Sequence, residues 1–73
     1  MRRNKWLIQF RTAVCVVVEG AGSQLQIVQV RAGTRWMVEL RPYHRDNREV
    51  TDLIFEDGSI AREVSFGFFQ FVE

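Results

Sequence analysis

Three groups of side chains in this sequence have the chemistry that catalysis needs: one cysteine, one histidine and a cluster of carboxylates. Cys15 stands between Val14 and Val16, and a cysteine embedded in an apolar strand is usually an unreactive packing residue. His44 lies in a polar, charged run, where a solvated loop histidine is the simplest interpretation. No nucleophile stands beside a general base in the sequence, so these residues predict no catalytic site.

The carboxylates Asp52, Glu56 and Asp57 could support acid–base or metal chemistry. Two of them have sufficient structural roles, because Asp57 precedes Gly58 in a turn and Asp52 has a cross-strand basic partner. One cysteine and one histidine are too few for a Cys/His zinc site. No glycine-rich loop opens a helix, so no phosphate site is indicated. The sequence therefore predicts no metal, no cofactor and no enzymatic activity.

Residues 50–64 (VTDLIFEDGSIAREV) predict a β-hairpin, since Asp-Gly between alternating apolar runs is a strong hairpin signal. A two-residue loop would oppose Asp52 to Glu63, and like charges at opposed positions destabilise a sheet. A loop of Glu56, Asp57 and a left-handed Gly58 avoids this clash. Its register pairs apolar with apolar and acid with base: Ile54 with Ile60, Asp52 with Arg62, and Val50 with Val64.

Side chains alternate over most of the remaining chain. In residues 6–18 the even-numbered positions are nearly all apolar, and this alternation is not interrupted. It predicts one long bent strand or two strands in phase, with the even-numbered side chains on the buried face. Turns are predicted at residues 20–23 and 32–34, and a parity slip near Ile27 and Val28 predicts a β-bulge. Residues 36–40 form a further strand. The predicted core from the alternating strands is Trp6, Ile8, Phe10, Val14, Val16, Trp36, Val38 and Leu40.

The second half of the chain continues with a polar loop at residues 41–48 and then the hairpin. The tail, EVSFGFFQFVE, predicts one 3₁₀-like turn at residues 65–68 and a closing strand at residues 69–72. Short strands with tight turns in 73 residues predict a single all-β domain, residues 1–73, built as a small five-stranded barrel.

The order of hairpin, single turn and aromatic closing strand resembles the way SH3-type domains end. The resemblance covers the layout of residues 34–72 and implies an SH3-like barrel with one 3₁₀-like turn before the last strand. It does not extend to binding of proline motifs, because an acidic ligand loop and paired tryptophans are not evident in this sequence. The fold hosts many unrelated functions, so it assigns none here.

The charges divide unevenly along the chain. Residues 1–48 hold nine Lys/Arg and three Asp/Glu, a balance of +6, and residues 49–73 hold one and six, a balance of −5. One interpretation is a nucleic-acid surface formed by Arg35, Arg41, Arg45 and Arg48. The other is that strands from the two halves neutralise each other through cross-strand pairs. The net charge of +1 argues against strong non-specific binding of nucleic acid.

The aromatic tail is a second candidate for binding. Phe69 and Phe71 are spaced to enter the core, whereas Phe66 and Phe68 fall in or beside the turn and are predicted to stay partly exposed. An exposed apolar patch marks a partner surface. A chain of this size has a thin stability margin and cannot form an intrachain disulfide, which favours self-association as a homodimer.

These observations predict a small non-enzymatic binding module that acts by protein contact, through Phe66 and Phe68 or through Tyr43, Arg45 and Arg48. The alternative is a nucleic-acid-binding barrel that uses the arginine face. A weaker third class is an enzyme whose active site forms only in an oligomer. The longest nearly apolar run, residues 13–18, is too short for a membrane span, and one cysteine suits a reducing cytoplasm. The small size of the chain suggests that a mobile element encodes it.

Overall fold

A computed structural model describes residues 4–73 as one curled antiparallel sheet of seven strands and a single 3₁₀ turn. The strands are β1 (Lys5–Phe10), β2 (Val14–Glu19), β3 (Leu25–Val30), β4 (Arg35–Arg45), β5 (Arg48–Ile54), β6 (Ile60–Ser65) and β7 (Phe69–Phe71), with the turn at Phe66–Phe68. Their order in the sheet is β3-β2-β6-β5-β4-β1-β7. Within residues 4–73, no helix is long and apolar enough to cross a membrane.

The prediction of an all-β fold is confirmed, but the prediction of five strands is wrong. Of the two alternatives for residues 6–18, the structure has two strands in phase, β1 and β2, separated by a bend. The chain bends at Arg11 and Thr12 before β2 begins, and the Arg11 N–H still donates to the Phe68 carbonyl at 2.8 Å, in register with the β1–β7 pairs. β2 and β3 form a hairpin of their own, and with β1, β4, β5, β6 and β7 they make seven strands.

The β2–β3 hairpin is regular, so the bulge predicted at Ile27 and Val28 is wrong. Six consecutive pairs run from Val14 opposite Val30 to Glu19 opposite Leu25 without a shift. Val28 and Val30 face the core side, whereas Leu25 and Ile27 point to solvent. The apparent slip of parity arises because β3 carries apolar residues on both of its faces.

The loop predicted at residues 41–48 is also wrong, because this segment forms the end of a long β-hairpin. β4 continues to Arg45, β5 begins at Arg48, and these two arginines are opposed in the ladder. Asp46 and Asn47 make the turn with φ values of 52° and 62°. Aspartate and asparagine tolerate this left-handed conformation better than most residues, which permits a two-residue connection.

The β5–β6 hairpin has the predicted three-residue loop. The Phe55 N–H donates to the Ser59 carbonyl at 2.9 Å, and Gly58 has a φ of +90°. Ile54 faces Ile60 as predicted. The predicted pairing of Val50 with Val64 is wrong, because the register shifts between Leu53 and Thr51, so that Thr51 faces Val64 and Val50 faces Ser65. The extra residue in β6 is Glu63, which takes a φ of 53° and forms a β-bulge.

The core lies on the inner, concave face of the sheet. It contains Ile8, Phe10, Val16, Val30, Val38, Leu53, Ala61, Val64 and Phe69. Four predicted residues are thus confirmed as buried, and Val14, Trp36 and Leu40 pack against them while partly buried. Trp6 and Phe71 were predicted to be buried, but they are 52% and 50% exposed. Both have inward parity and lie near strand ends, where the curled sheet does not cover them.

Candidate interaction surfaces

Asp52 is a buried carboxylate on the outer face of the sheet, the face opposite the core. Its Oδ1 accepts hydrogen bonds from the Tyr43 hydroxyl at 2.9 Å and from the Glu63 N–H at 3.0 Å. Its Oδ2 accepts one from Arg62 Nη1 at 3.0 Å. The Glu63 N–H belongs to the bulged residue, so the Asp52 carboxylate binds the peptide group that leaves the regular ladder. Burial, the hydrogen bond from the Tyr43 hydroxyl to Asp52 and the negative charge of Asp52 raise the pKa of Tyr43 above its ordinary value of 10.0.

Ion pairs join the basic and acidic halves of the chain. Arg62 Nη2 lies 2.8 Å from Glu19 Oε1, Arg45 Nε lies 3.1 Å from Glu63 Oε1, and Lys5 Nζ lies 2.8 Å from Glu56 Oε1. The hydrogen bonds to Glu19 and then Asp52 raise the pKa of Arg62, and those from Lys5 lower the pKa of Glu56. These contacts support the interpretation that the two halves neutralise each other across strands.

The predicted arginine face is brought together in part. Arg41, Tyr43 and Arg45 follow one another at every second position of β4 and therefore lie on one face of the strand. Arg48 faces Arg45 from β5. Arg45 lies 5.9 Å from the Tyr43 ring centroid. Arg35 is six positions from Arg41 and donates to Gln9 Oε1 at 2.9 Å. Within residues 4–73, Arg41 and Arg48 are exposed and make no ion pair.

The two candidate phenylalanines, Phe66 and Phe68, are half-buried and pack against the core from the 3₁₀ turn. Phe66 lies 5.5 Å from Phe69 between ring centroids. The most exposed aromatic residues are instead Trp6 and Phe71, whose rings meet edge-to-face at 5.5 Å. Alternation assigned these two to the core, and only their position near strand ends could have indicated exposure.

Among residues 4–73, the large exposed apolar side chains are confined to the two ends of the sheet. One group, on β2 and β3, consists of Val17, Leu25 and Ile27. The other, on β1, β4 and β7, consists of Trp6, Met37 and Phe71. The central strands β5 and β6 carry none among the described residues. Apolar surface is therefore concentrated at the places where another chain could approach the sheet.

A cleft of about 410 Å³ opens where β2 and β6 stop pairing, after the contact of Val17 with Arg62. Cys15 and Phe68 are among the residues that line it. Its wall holds two charged residues: Arg62, which already binds Glu19 and Asp52, and Glu63, which pairs with Arg45. The cleft therefore has no basic side chain from the described part of the chain that is free to bind an anionic ligand.

The remaining residues with catalytic chemistry do not form a group. Cys15 is on β2 and His44 on β4, and these strands are separated by β6 and β5. Asp57 accepts hydrogen bonds from the Ser59 hydroxyl and N–H at 2.6 and 2.9 Å, which lower its pKa and confirm its turn role. Among residues 4–73, no three His, Cys, Asp or Glu side chains are placed to hold a metal ion.

Comparison of the chain with protein-family models, curated proteins and solved structures finds no match.

Proposed function

We propose that this chain is a small non-enzymatic binding module that acts by protein–protein contact, with Trp6 and Phe71 at the centre of its contact surface. The observation that supports this proposal most strongly is that these two rings meet edge-to-face and are each about half exposed. Tryptophan is enriched among the residues that dominate binding energy at interfaces. Covering the exposed halves of both side chains would remove roughly 200 Å² of apolar surface, a gross gain of about 5 kcal/mol. That gain is large enough to anchor an interface after association costs.

The aromatic tail connects the exposed pair to the 3₁₀ turn through Phe69, which is itself buried in the core. The ring centroids of Phe71 and Phe69 are 6.1 Å apart, and those of Phe69 and Phe66 are 5.5 Å apart. Half-buried Phe66 thus continues the line of rings from the exposed pair into the 3₁₀ turn. Phe68, in the same turn, and Tyr43, Arg45 and Arg48 on the outer face remain secondary candidates for partner contact.

We further propose that the fold is a variant of the SH3-like barrel. Five strands follow one another in the sheet in the order β7-β1-β4-β5-β6, so the first of these strands along the chain pairs with the last. The single 3₁₀ turn directly before β7 supports the same assignment. In this scheme the β2–β3 hairpin is an insertion between the first two barrel strands.

A nucleic-acid partner is the alternative, and exposed Arg41 and Arg48 beside Tyr43 favour it. If these side chains bind phosphates, affinity falls steeply with salt, because each contact releases counterions. Replacing Arg41 and Arg48 together with alanine then weakens binding and flattens the salt slope by roughly two contacts. A salt-titrated binding assay with single-stranded and duplex oligonucleotides measures both effects. Absence of salt-sensitive binding in the wild type removes this alternative.

The protein-contact proposal is tested by capture of partners from the native host with Trp6→Ser and Met37→Ser. Met37 is the matched control, since it is 48% exposed and lies on β4 beside β1 but on the outer face. We expect a captured protein to be lost with Trp6→Ser and kept with Met37→Ser. Equal capture by wild type and Trp6→Ser would contradict the proposal. Unchanged circular dichroism of both variants establishes that the fold persists.

A further inference from the structure

The edge strand β3 lacks the devices that natural proteins use to block edge-to-edge pairing. Those devices are charge, proline, a bulge or a very short strand. The sequence of β3, LQIVQV, holds no charged residue and no proline, and its six residues pair with β2 without a shift of register. Its exposed side chains include Leu25 at 70% and Ile27 at 75%. An unprotected apolar edge of this kind is a template for another strand.

The hydrogen-bond pattern identifies which peptide groups face the open edge. The Gly20 N–H donates to the Gln24 carbonyl at 2.8 Å, which makes this pair a hydrogen-bonded one. Such pairs alternate along an antiparallel ladder, so the even residues of β3 bond to β2. The N–H and C=O groups of Leu25, Ile27 and Gln29 therefore point outward. The side chains of the same three residues lie on the outer face of the sheet.

We propose that two copies of this chain associate by antiparallel pairing of β3 with β3 of the second copy, about a two-fold axis at Ile27. In this register Ile27 faces Ile27 of the second copy, and Leu25 faces Gln29 of the second copy. The three outward-facing residues of each strand can then form about six backbone hydrogen bonds across the axis. Half-exposed Val17, which is opposite Ile27 on β2, extends the apolar contact on both sides of the axis.

A second copy fits this edge better than the other open edge of the sheet does. β7 has only three residues, so a β3–β7 contact would leave half of β3 unpaired. That contact would also be head-to-tail and would generate open filaments unless its rotation closes a ring. The two-fold pairing is closed and places no like charges at the axis, because β3 is uncharged. It lies at the opposite end of the sheet from Trp6 and Phe71, and so it is independent of the proposed protein-contact surface.

The test is sedimentation equilibrium of the wild type, Ile27→Lys, Ile27→Glu and an equimolar mixture of the two variants. Protein concentrations run from about 1 to about 300 µM, the range in which a dimer of micromolar affinity dissociates. We expect the wild type to be a dimer and each single variant to associate at least about tenfold more weakly, because like charges then meet at the axis. The mixture is expected to regain a dimer, because residue 27 of one copy faces residue 27 of the other. Gln26→Lys is the matched control, since it adds the same charge to β3 but does not face itself across the axis.

Each outcome decides the matter. Monomeric wild type throughout the range, a dimer that survives Ile27→Lys, or a mixture that stays monomeric would overturn the proposed pairing. Growth beyond the dimer with concentration would favour the head-to-tail contact instead. Because Ile27 is 75% exposed, its variants are expected to keep the wild-type circular dichroism and unfolding midpoint of the monomer. Loss of the dimer in Trp6→Ser, rather than in Ile27→Lys, would assign self-association to the aromatic end.

Discussion

Replacement of Asp52 with alanine tests whether one buried carboxylate holds the β5–β6 bulge. Asp52 accepts hydrogen bonds from Tyr43, from Arg62 and from the N–H of Glu63, whose φ is 53°. A glutamate in the left-handed region is strained, and such a conformation persists only where its surroundings fix it. The Asp52 carboxylate is the described group that accepts the Glu63 N–H. Its removal therefore leaves the bulge without its main support.

The expected loss can be worked out contact by contact. Leaving the part-buried Glu63 N–H without an acceptor costs about 1.5 kcal/mol, and loss of the Tyr43 hydrogen bond costs about 1 kcal/mol. The Arg62 side chain is 45% exposed, so water screens its ion pair with Asp52, and we assign that pair no share of the loss. The two hydrogen-bond costs together are about 2.5 kcal/mol, a large share of the stability expected for a domain of this size. Asp52→Asn keeps an oxygen for Glu63 and Tyr43, and should cost about 1 kcal/mol.

Urea unfolding followed by tryptophan fluorescence measures both variants. Trp36 is a suitable probe, because its ring packs edge-to-face against Phe10 at 4.9 Å between centroids. We expect Asp52→Ala to lower the free energy of unfolding about 1.5 kcal/mol more than Asp52→Asn does, with an unchanged denaturant slope. An Asp52→Ala variant within about 0.5 kcal/mol of the wild type would refute the reasoning. Equal losses for alanine and asparagine would show that charge, rather than the accepted hydrogen bonds, is decisive.

Three further predictions concern the turn, the core and the only tyrosine. Gly58→Val should lower the free energy of unfolding by about 1 kcal/mol or more in the same assay, because φ is +90° and the added Cβ meets nothing within 4 Å, so the cost is conformational; a neutral effect would contradict this. Phe10→Ala should cost about 3–5 kcal/mol, since Phe10 is fully buried, and a folded variant of near-wild-type stability would refute the core assignment. The absorbance of tyrosinate should report a pKa of Tyr43 above 10.0, closer to 10.0 in Asp52→Ala. The associated stability is present below pH 10 and lost as pH rises through the raised pKa, so an unshifted titration would contradict the Tyr43–Asp52 contact.

Local patterns predicted the parts of this fold that local chemistry determines. Alternation located β1, β2 and the middle of β4, and side-chain pairing selected the three-residue loop that ends at Gly58. Polarity was misleading at residues 41–48, because an exposed hairpin tip has the composition of a loop. The turn signal there was Asp46 with Asn47, two residues that accept positive φ.

The candidate surfaces were harder to predict, because they depend on how the sheet ends and closes. Trp6 has the same parity as Ile8, yet Trp6 is half exposed and Ile8 is fully buried. Parity gives the face of a strand, whereas coverage depends on strands distant in sequence. The bulge at Glu63 similarly depends on the non-local carboxylate of Asp52. Apolar residues on both faces of β3 obscured its exposed edge.

The most direct test of protein contact as the function is capture from native-host lysate with and without nuclease. The bait proteins are the wild type, Trp6→Ser and the Arg41→Ala/Arg48→Ala double variant. We predict a protein bound in stoichiometric amount that resists nuclease, is retained by the arginine double variant and is lost with Trp6→Ser. Material that disappears on nuclease treatment and is lost with the arginine double variant would contradict protein contact and identify the arginine face as the binding surface.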